Sequence, residues 1–137
     1  AFGLLVYKIK ETQGYNRIDI IVTYKEKLIL IQCKNIEISI SVQTVRVFKL
    51  AILRFSSNSL RIIVYNNKKL KEKKYATVKA KLWAQTSKRN IQICNEDKFV
   101  DIIKDFYELD NDDYIKLVDY KADSFNINSL LEENVSI

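Results

Sequence analysis

Three polar residues interrupt two apolar segments, and their side chains are of the types that bind a metal ion and act on a phosphate ester. Asp19 lies inside the apolar residues 18–24, and Gln32 and Lys34 end the apolar residues 28–34. Mg²⁺ prefers oxygen ligands, so the Asp19 carboxylate, the Gln32 amide oxygen and the backbone carbonyl of Cys33 form a candidate ligand set. Lys34 beside them would orient or help deprotonate a water, or stabilise charge developing on a phosphate.

The two segments are expected to form an antiparallel hairpin, because only a short polar stretch separates them. A turn centred between Lys25 and Glu26 places Asp19 opposite Gln32. Directly opposed residues share a sheet face, with Cβ atoms about 4.5–5.5 Å apart. Lys34 shares that face with Gln32 because side chains alternate along a strand. A slip by one residue would separate the three and also reverse the apolar pattern.

A purely structural role for these residues is the alternative. Asp19 and Lys34 would then form an ion pair at the end of the sheet, and the backbone would satisfy Gln32. Buried polar groups need partners in either case, so residue geometry alone leaves both interpretations open.

The remaining segments predict an α/β fold. Residues 2–10 and 60–65 resemble strands, as do residues 90–94, and apolar spacing predicts helices over 41–55 and 97–107. A long helix is predicted over 68–86, with its buried side formed by Leu70, Tyr75, Val78, Leu82 and Trp83. A hairpin unit followed by alternating helices and strands implies a mixed central sheet flanked by helices on both faces.

Charge divides the chain into two parts. Residues 1–107 carry 21 Lys/Arg against 9 Asp/Glu, whereas residues 108–137 carry 2 against 8. We therefore expect one basic domain over 1–107 and an acidic C-terminal tail over 108–137 that is peripheral or partly disordered. A basic body favours a polyanion such as nucleic acid. The candidate phosphate-binding residues, for which a solvated helix start is the alternative, are Lys68, Lys69, Lys71, Lys73, Lys74 and Arg46.

Composition excludes several classes of site. The chain has no His, which removes histidine-based zinc sites and Ser-His-Asp or Cys-His catalysis. Cys33 and Cys94 lie far apart in apolar segments, which favours buried free thiols in a reducing intracellular compartment, cytoplasm or nucleus. No apolar run approaches the roughly 20 residues of a membrane span. The chain does not begin like a signal peptide and contains no Met, so we expect it to be a fragment or a processed form.

Residues 14–21 (GYNRIDII) followed by residues 30–34 (LIQCK) resemble the motif of the PD-(D/E)XK nucleases. They are most similar to the Mrr-like branch of restriction endonucleases, in which Gln replaces an acidic residue to give QxK. The similarity extends over about residues 2–106. It implies a restriction-endonuclease-like αβββαβ core and Mg²⁺-dependent (or Mn²⁺-dependent) hydrolysis of DNA phosphodiesters. Asp19 would be the metal-binding carboxylate, Gln32 the second ligand position and Lys34 the catalytic lysine.

Two departures from the family pattern leave other functions open. The helix that usually precedes the first strand, often with a metal-binding Glu, is expected to be missing, and Asn16-Arg17 stands where Gly and acidic residues are usual. The alternatives are an inactive nuclease fold that binds nucleic acid and a structural interaction domain of a larger protein. DNA is the expected partner and RNA an alternative. A homodimer would suit double-strand cutting, although no residue indicates one.

Overall fold

The structure is a computed structural model that describes residues 5–8, 18–55, 58–66, 68–71, 74–85 and 90–109. Its elements follow one another as three strands and then alternating helices and strands. The strands are β1 (Leu5–Lys8), β2 (Ile20–Tyr24), β3 (Lys27–Asn35), β4 (Leu60–Asn66) and β5 (Gln92–Asn95). The helices are α1 (Val42–Ile52), α2 (Val78–Gln85) and α3 (Glu96–Tyr107). Asn16-Arg17 and nearly all of the acidic tail lie outside the described residues. The first four residues, on which the expected absence of a first helix bears, also lie outside them.

The five strands form one mixed sheet in the order β1-β2-β3-β4-β5. β1, β2 and β3 are antiparallel, whereas β3, β4 and β5 are parallel and are connected through α1 and α2. The predicted α/β class with a mixed sheet is therefore confirmed. β3 is the middle strand, and its residues from Leu28 to Gln32 are all buried.

The predicted hairpin is confirmed in its turn and in its register. Lys25 and Glu26 occupy the turn with φ of 49° and 65°, the left-handed values that a two-residue type I′ turn requires at both positions. Ile21 consequently pairs with Leu30, and Ile20 with Ile31. The two-residue turn thus sets which β3 residues face the start of β2.

Helices cover both faces of the sheet. One core contains Leu30 of β3 and Ile63 of β4 with residues of α1 and α2, including Phe48 and Ala80. A second core on the opposite face joins Ile31 and other strand residues to α3. Ser41 caps α1 and Asn95 caps α3, each side chain accepting a backbone N–H of the first turn. The order of the chain thus places α1 directly after the polar end of β3.

The long helix predicted over 68–86 is wrong, because of its described residues (68–71 and 74–85) only those of α2 are helical. Residues 68–71 and 74–77 instead pack along the segment before α1: Lys71 N–H donates to the Glu37 carbonyl and Thr77 N–H donates to the Ile40 carbonyl. Ile40 also forms an isolated parallel bridge with Ala76. The lysine-rich sequence has too few apolar residues at helical spacing to hold a helix against these backbone bonds.

The predicted buried side of that helix is also wrong for α2. Ala80 and Ala84 are buried there, whereas Val78, Leu82 and Trp83 are 62%, 54% and 42% exposed. Small residues face the core because α2 packs against α1 as well as against the sheet, so little space remains for large side chains. The aromatic side of α2 therefore faces solvent.

Charge differs between the two helical layers. α1 and α2 contain four cationic residues and no acidic residue. α3 contains four acidic residues and two lysines. The described helices are 11, 8 and 12 residues long, and none of them is long and apolar enough to cross a bilayer.

Candidate functional site

The polar end of β3 presents its side chains to both faces of the sheet. Gln32 is only 4% exposed and Lys34 is half-buried, whereas Cys33 between them is exposed. Gln32 and Lys34 lie on the face of β3 that also carries Leu30, because side chains alternate along the strand. That face is covered by α1.

Asp19 is attached to the backbone of β3 at Cys33. One carboxylate oxygen, Oδ2, accepts the Cys33 N–H at 2.7 Å, and the Asp19 N–H donates to the Ile31 carbonyl at 2.8 Å. The regular pairing of the hairpin ends one residue earlier, at Ile20 and Ile31. The sequence predicted that Asp19 pairs with Gln32, but the two residues do not form a regular ladder pair. The Asp19 carboxylate instead accepts a hydrogen bond from the backbone N–H of Cys33, the residue after Gln32.

The Cys33 carbonyl is directed toward the same side as this carboxylate. In an extended strand the N–H and the C=O of one residue point to the same side. Since the Cys33 N–H points to Asp19, its carbonyl also points toward β2 and away from β4. The predicted carbonyl ligand is thus oriented toward the predicted carboxylate ligand.

A small pocket of about 100 Å³ lies between the end of β3 and the start of α1. The amide oxygen Oε1 of Gln32 is buried and has no hydrogen-bond partner. An unpaired buried acceptor costs about 1–3 kcal/mol, so its position calls for a donor or a cation. The pocket is lined by Gln32, Lys34, Ser41, Gln43, Thr44 and Val47.

The first turn of α1 forms the other wall of this pocket. The Ser41 hydroxyl accepts the Thr44 N–H, and the first turn has no acidic residue. The free N–H groups and the dipole of a helix N-terminus favour an anion there. The residue pattern predicted no site role for Ser41, Gln43 or Thr44. The available signal was Ser41 itself, an N-cap residue between a central strand and a helix.

The exposed thiol of Cys33 lies on the opposite face of the sheet. There a larger pocket of about 480 Å³ also includes Lys34, Glu96 and Phe99. Cys33 is exposed as a residue, but partial desolvation of its thiol raises its pKa, and the negative charges of Asp19 and Glu96 raise the pKa further. The thiol is thus kept in its neutral form, which is a poor nucleophile and metal ligand. Lys34 lines both pockets, because it lies near the carboxyl end of the middle strand β3.

The predicted phosphate-binding residues are split between two places. Lys68, Lys69, Lys71 and Lys74 are exposed on the loop that follows β4, and Lys73 lies outside the described residues. This loop packs beside the segment that enters α1, since the Ser39 hydroxyl donates to the Lys74 carbonyl. Arg46 is exposed on α1, where its guanidinium lies 4.7 Å from the ring centre of Trp83.

The structural alternative for the polar residues is not what the described residues adopt. In that part of the chain Asp19 and Lys34 form no ion pair, and the Gln32 amide oxygen is unpaired. The described residues also contain no group of three or more His, Cys, Asp or Glu that could hold a metal ion. A cation here would depend on the Asp19 carboxylate together with neutral oxygens, a set that suits a hard ion such as Mg²⁺.

Comparisons with protein-family models, with curated proteins and with solved structures found no match to this chain. What the site can do therefore follows from its own residues.

Proposed function

We propose that this chain is a metal-dependent nuclease domain that hydrolyses DNA phosphodiester bonds at Asp19, Gln32 and Lys34. The observation that carries the proposal is the buried, unpaired amide oxygen of Gln32. Gln32 lines a pocket together with Lys34. The described order of three strands, a helix and a strand also agrees with the PD-(D/E)XK core that the sequence resembles.

Each residue has a role that follows from its surroundings. Asp19 supplies the negative charge for Mg²⁺ or Mn²⁺, and its bond from the Cys33 N–H fixes the carboxylate in place. Gln32 and the Cys33 carbonyl supply neutral oxygen ligands. The ion would supply Lewis acidity to the phosphodiester. Lys34 places an ammonium group where negative charge grows on the phosphate oxygens as water replaces the leaving oxygen.

Supercoiled-plasmid cleavage with Mg²⁺ or Mn²⁺ tests the proposal. We expect Asp19→Ala and Lys34→Ala to lower the rate by at least about a hundredfold, the scale of a lost catalytic group. Asp101→Ala and Lys98→Ala are matched controls, because both residues are exposed on α3, on the other face of the sheet. Cleavage that survives both site substitutions would refute this assignment.

A DNA-binding domain without cleavage is the second candidate. Asp19 is the only carboxylate among the three proposed oxygen ligands, the others being Gln32 and the Cys33 carbonyl, and this favours weak metal binding. The basic helices α1 and α2 and the basic loop that follows β4 would still bind DNA, with an affinity that falls steeply as the salt concentration rises. Salt-sensitive binding to plasmid without metal-dependent cutting would establish this second function.

A further inference from the structure

A tryptophan is held at the surface by two cations of the neighbouring helix. Trp83 of α2 is 42% exposed. The Arg46 guanidinium lies 4.7 Å and the Lys49 ammonium 5.2 Å from its ring centre, and Lys49 also donates to the Trp83 carbonyl. Both cations come from α1, the helix that packs against α2. Part of the Trp83 side chain remains exposed to solvent.

The charge around this indole selects a polyanion as the partner. α1 and α2 contribute Arg46, Lys49, Lys79 and Lys81 and no acidic residue. An aromatic ring beside cations is the combination that binds single-stranded nucleic acid: bases stack on the ring and phosphates contact the cations. Two of these cations, Arg46 and Lys49, lie against the Trp83 ring itself.

The indole lies near enough to the Gln32–Lys34 pocket for one nucleic-acid strand to contact both. The first turn of α1, with Thr44, lines the pocket of Gln32 and Lys34. Lys49 lies five residues farther along the same helix, about 7–8 Å at 1.5 Å per residue. The pocket and the ring are therefore close enough for one nucleic-acid strand to contact both.

We propose that Trp83, flanked by Arg46 and Lys49, is a stacking platform for an unpaired base of a DNA strand that passes through the Gln32–Lys34 pocket. The choice of DNA as the polyanion rests on the proposed function. Stacking on Trp83 requires neither metal nor cleavage, so the stacking proposal and the proposed nuclease function can fail separately.

Trp83 is the only tryptophan of the chain, so its fluorescence reports on this surface alone. The probe is oligo(dT) of about 12 nucleotides, within the usual range of single-strand site sizes, titrated in EDTA. We expect quenching of Trp83 emission that weakens with added salt and is stronger than with a duplex of equal length. The Asp101→Ala variant, changed at an exposed position of α3 on the other face of the sheet, should show the same quenching.

Variants separate stacking from apolar contact, with affinity measured by anisotropy of a labelled oligonucleotide. Trp83→Ala should weaken binding by about 5- to 150-fold, the usual range for one lost stacked base. Trp83→Phe, which keeps a ring, should restore most of the affinity. Leu82→Ala, which changes a neighbouring side chain that is 54% exposed, should change it little.

Three results would overturn the proposal. The first is oligonucleotide binding that leaves the emission of Trp83 unchanged. The second is emission that responds to protein concentration but not to oligonucleotide, which would assign this face to a second copy of the chain. The third is a blue shift on anionic lipid vesicles without a response to oligonucleotide, which would assign it to a membrane surface.

Discussion

The carboxylate of Asp19 accepts the backbone N–H of Cys33 at 2.7 Å, and this bond connects the start of β2 to the polar end of β3. It holds the Asp19 carboxylate at the backbone of Cys33, the residue between Gln32 and Lys34, although the regular ladder has already ended. The pocket that Gln32 and Lys34 line does not include Asp19. The charge and the hydrogen bond of this carboxylate have different consequences, and substitutions can separate them.

Asp19→Asn should abolish metal-dependent cleavage while leaving the fold nearly as stable, because an amide oxygen still accepts the Cys33 N–H but carries no charge. Asp19→Ala removes both and should lower the free energy of unfolding by about 1.5–3 kcal/mol, the usual contribution of a hydrogen bond to a charged group. Urea unfolding and plasmid cleavage measure the two effects. Equal stability of the two variants would show that the Cys33 bond contributes nothing to folding.

Gln32→Leu should stabilise the protein and inactivate it. The substitution replaces a side chain whose buried amide oxygen has no partner with an apolar side chain of similar size, so the free energy of unfolding should rise by about 1–3 kcal/mol. Mg²⁺ should raise the Tm of the wild type but not that of Gln32→Leu. Gln92→Leu, at an exposed position of β5, is the control and should change neither quantity. Loss of stability in Gln32→Leu would mean that the amide oxygen is satisfied in solution.

Glu26→Gly should stabilise the hairpin without changing its register. Glu26 has a φ of 65°, and a residue with a Cβ atom in this left-handed region costs about 1 kcal/mol, which glycine avoids. We expect a gain of about 0.5–1 kcal/mol in urea unfolding. Glu26→Ala keeps the Cβ atom and should show no such gain, so a gain in both variants would point to the lost charge instead.

Stability should fall between pH 9 and pH 11 because of Cys94. Burial raises the pKa of Cys94 from 9.0 to about 11, against a smaller opposing effect of Lys98. Below pH 9 the thiol is neutral in both states. Between the two pKa values the unfolded chain ionises first, which lowers the free energy of unfolding by about 2 kcal/mol. Urea unfolding across this pH range should show a smaller loss of the free energy of unfolding in Cys94→Val than in the wild type. An identical loss in the two proteins would mean that other groups cause the effect.

Local pattern was sufficient to predict the hairpin. The alternation of apolar residues and the short polar connection fixed the turn at Lys25 and Glu26, and therefore brought Asp19 to the end of β3. The bond from the Cys33 N–H to the Asp19 carboxylate was not predictable from side-chain alternation, because it replaces a backbone bond of the ladder with one to a side chain.

Distant contacts explain why the second helix was predicted wrongly. Lys71 donates to Glu37, and Thr77 donates to Ile40, more than thirty residues away, and no local period reveals such partners. The same limit applies to Trp83. A lone tryptophan among helical residues suggests a buried position, and only the packing of Ala80 and Ala84 against the core turns it outward.

The described helices carry opposite net charge on the two faces of the sheet, so this part of the molecule has an electric dipole across the sheet. If DNA is the partner, as we propose, its negative potential would exert a torque on this dipole that turns the basic layer, with α1 and α2, toward the polymer before contact is made. A larger fraction of encounters would then begin in a productive orientation. This gain acts on the association rate, and dissolved salt removes it over distances greater than about 10 Å.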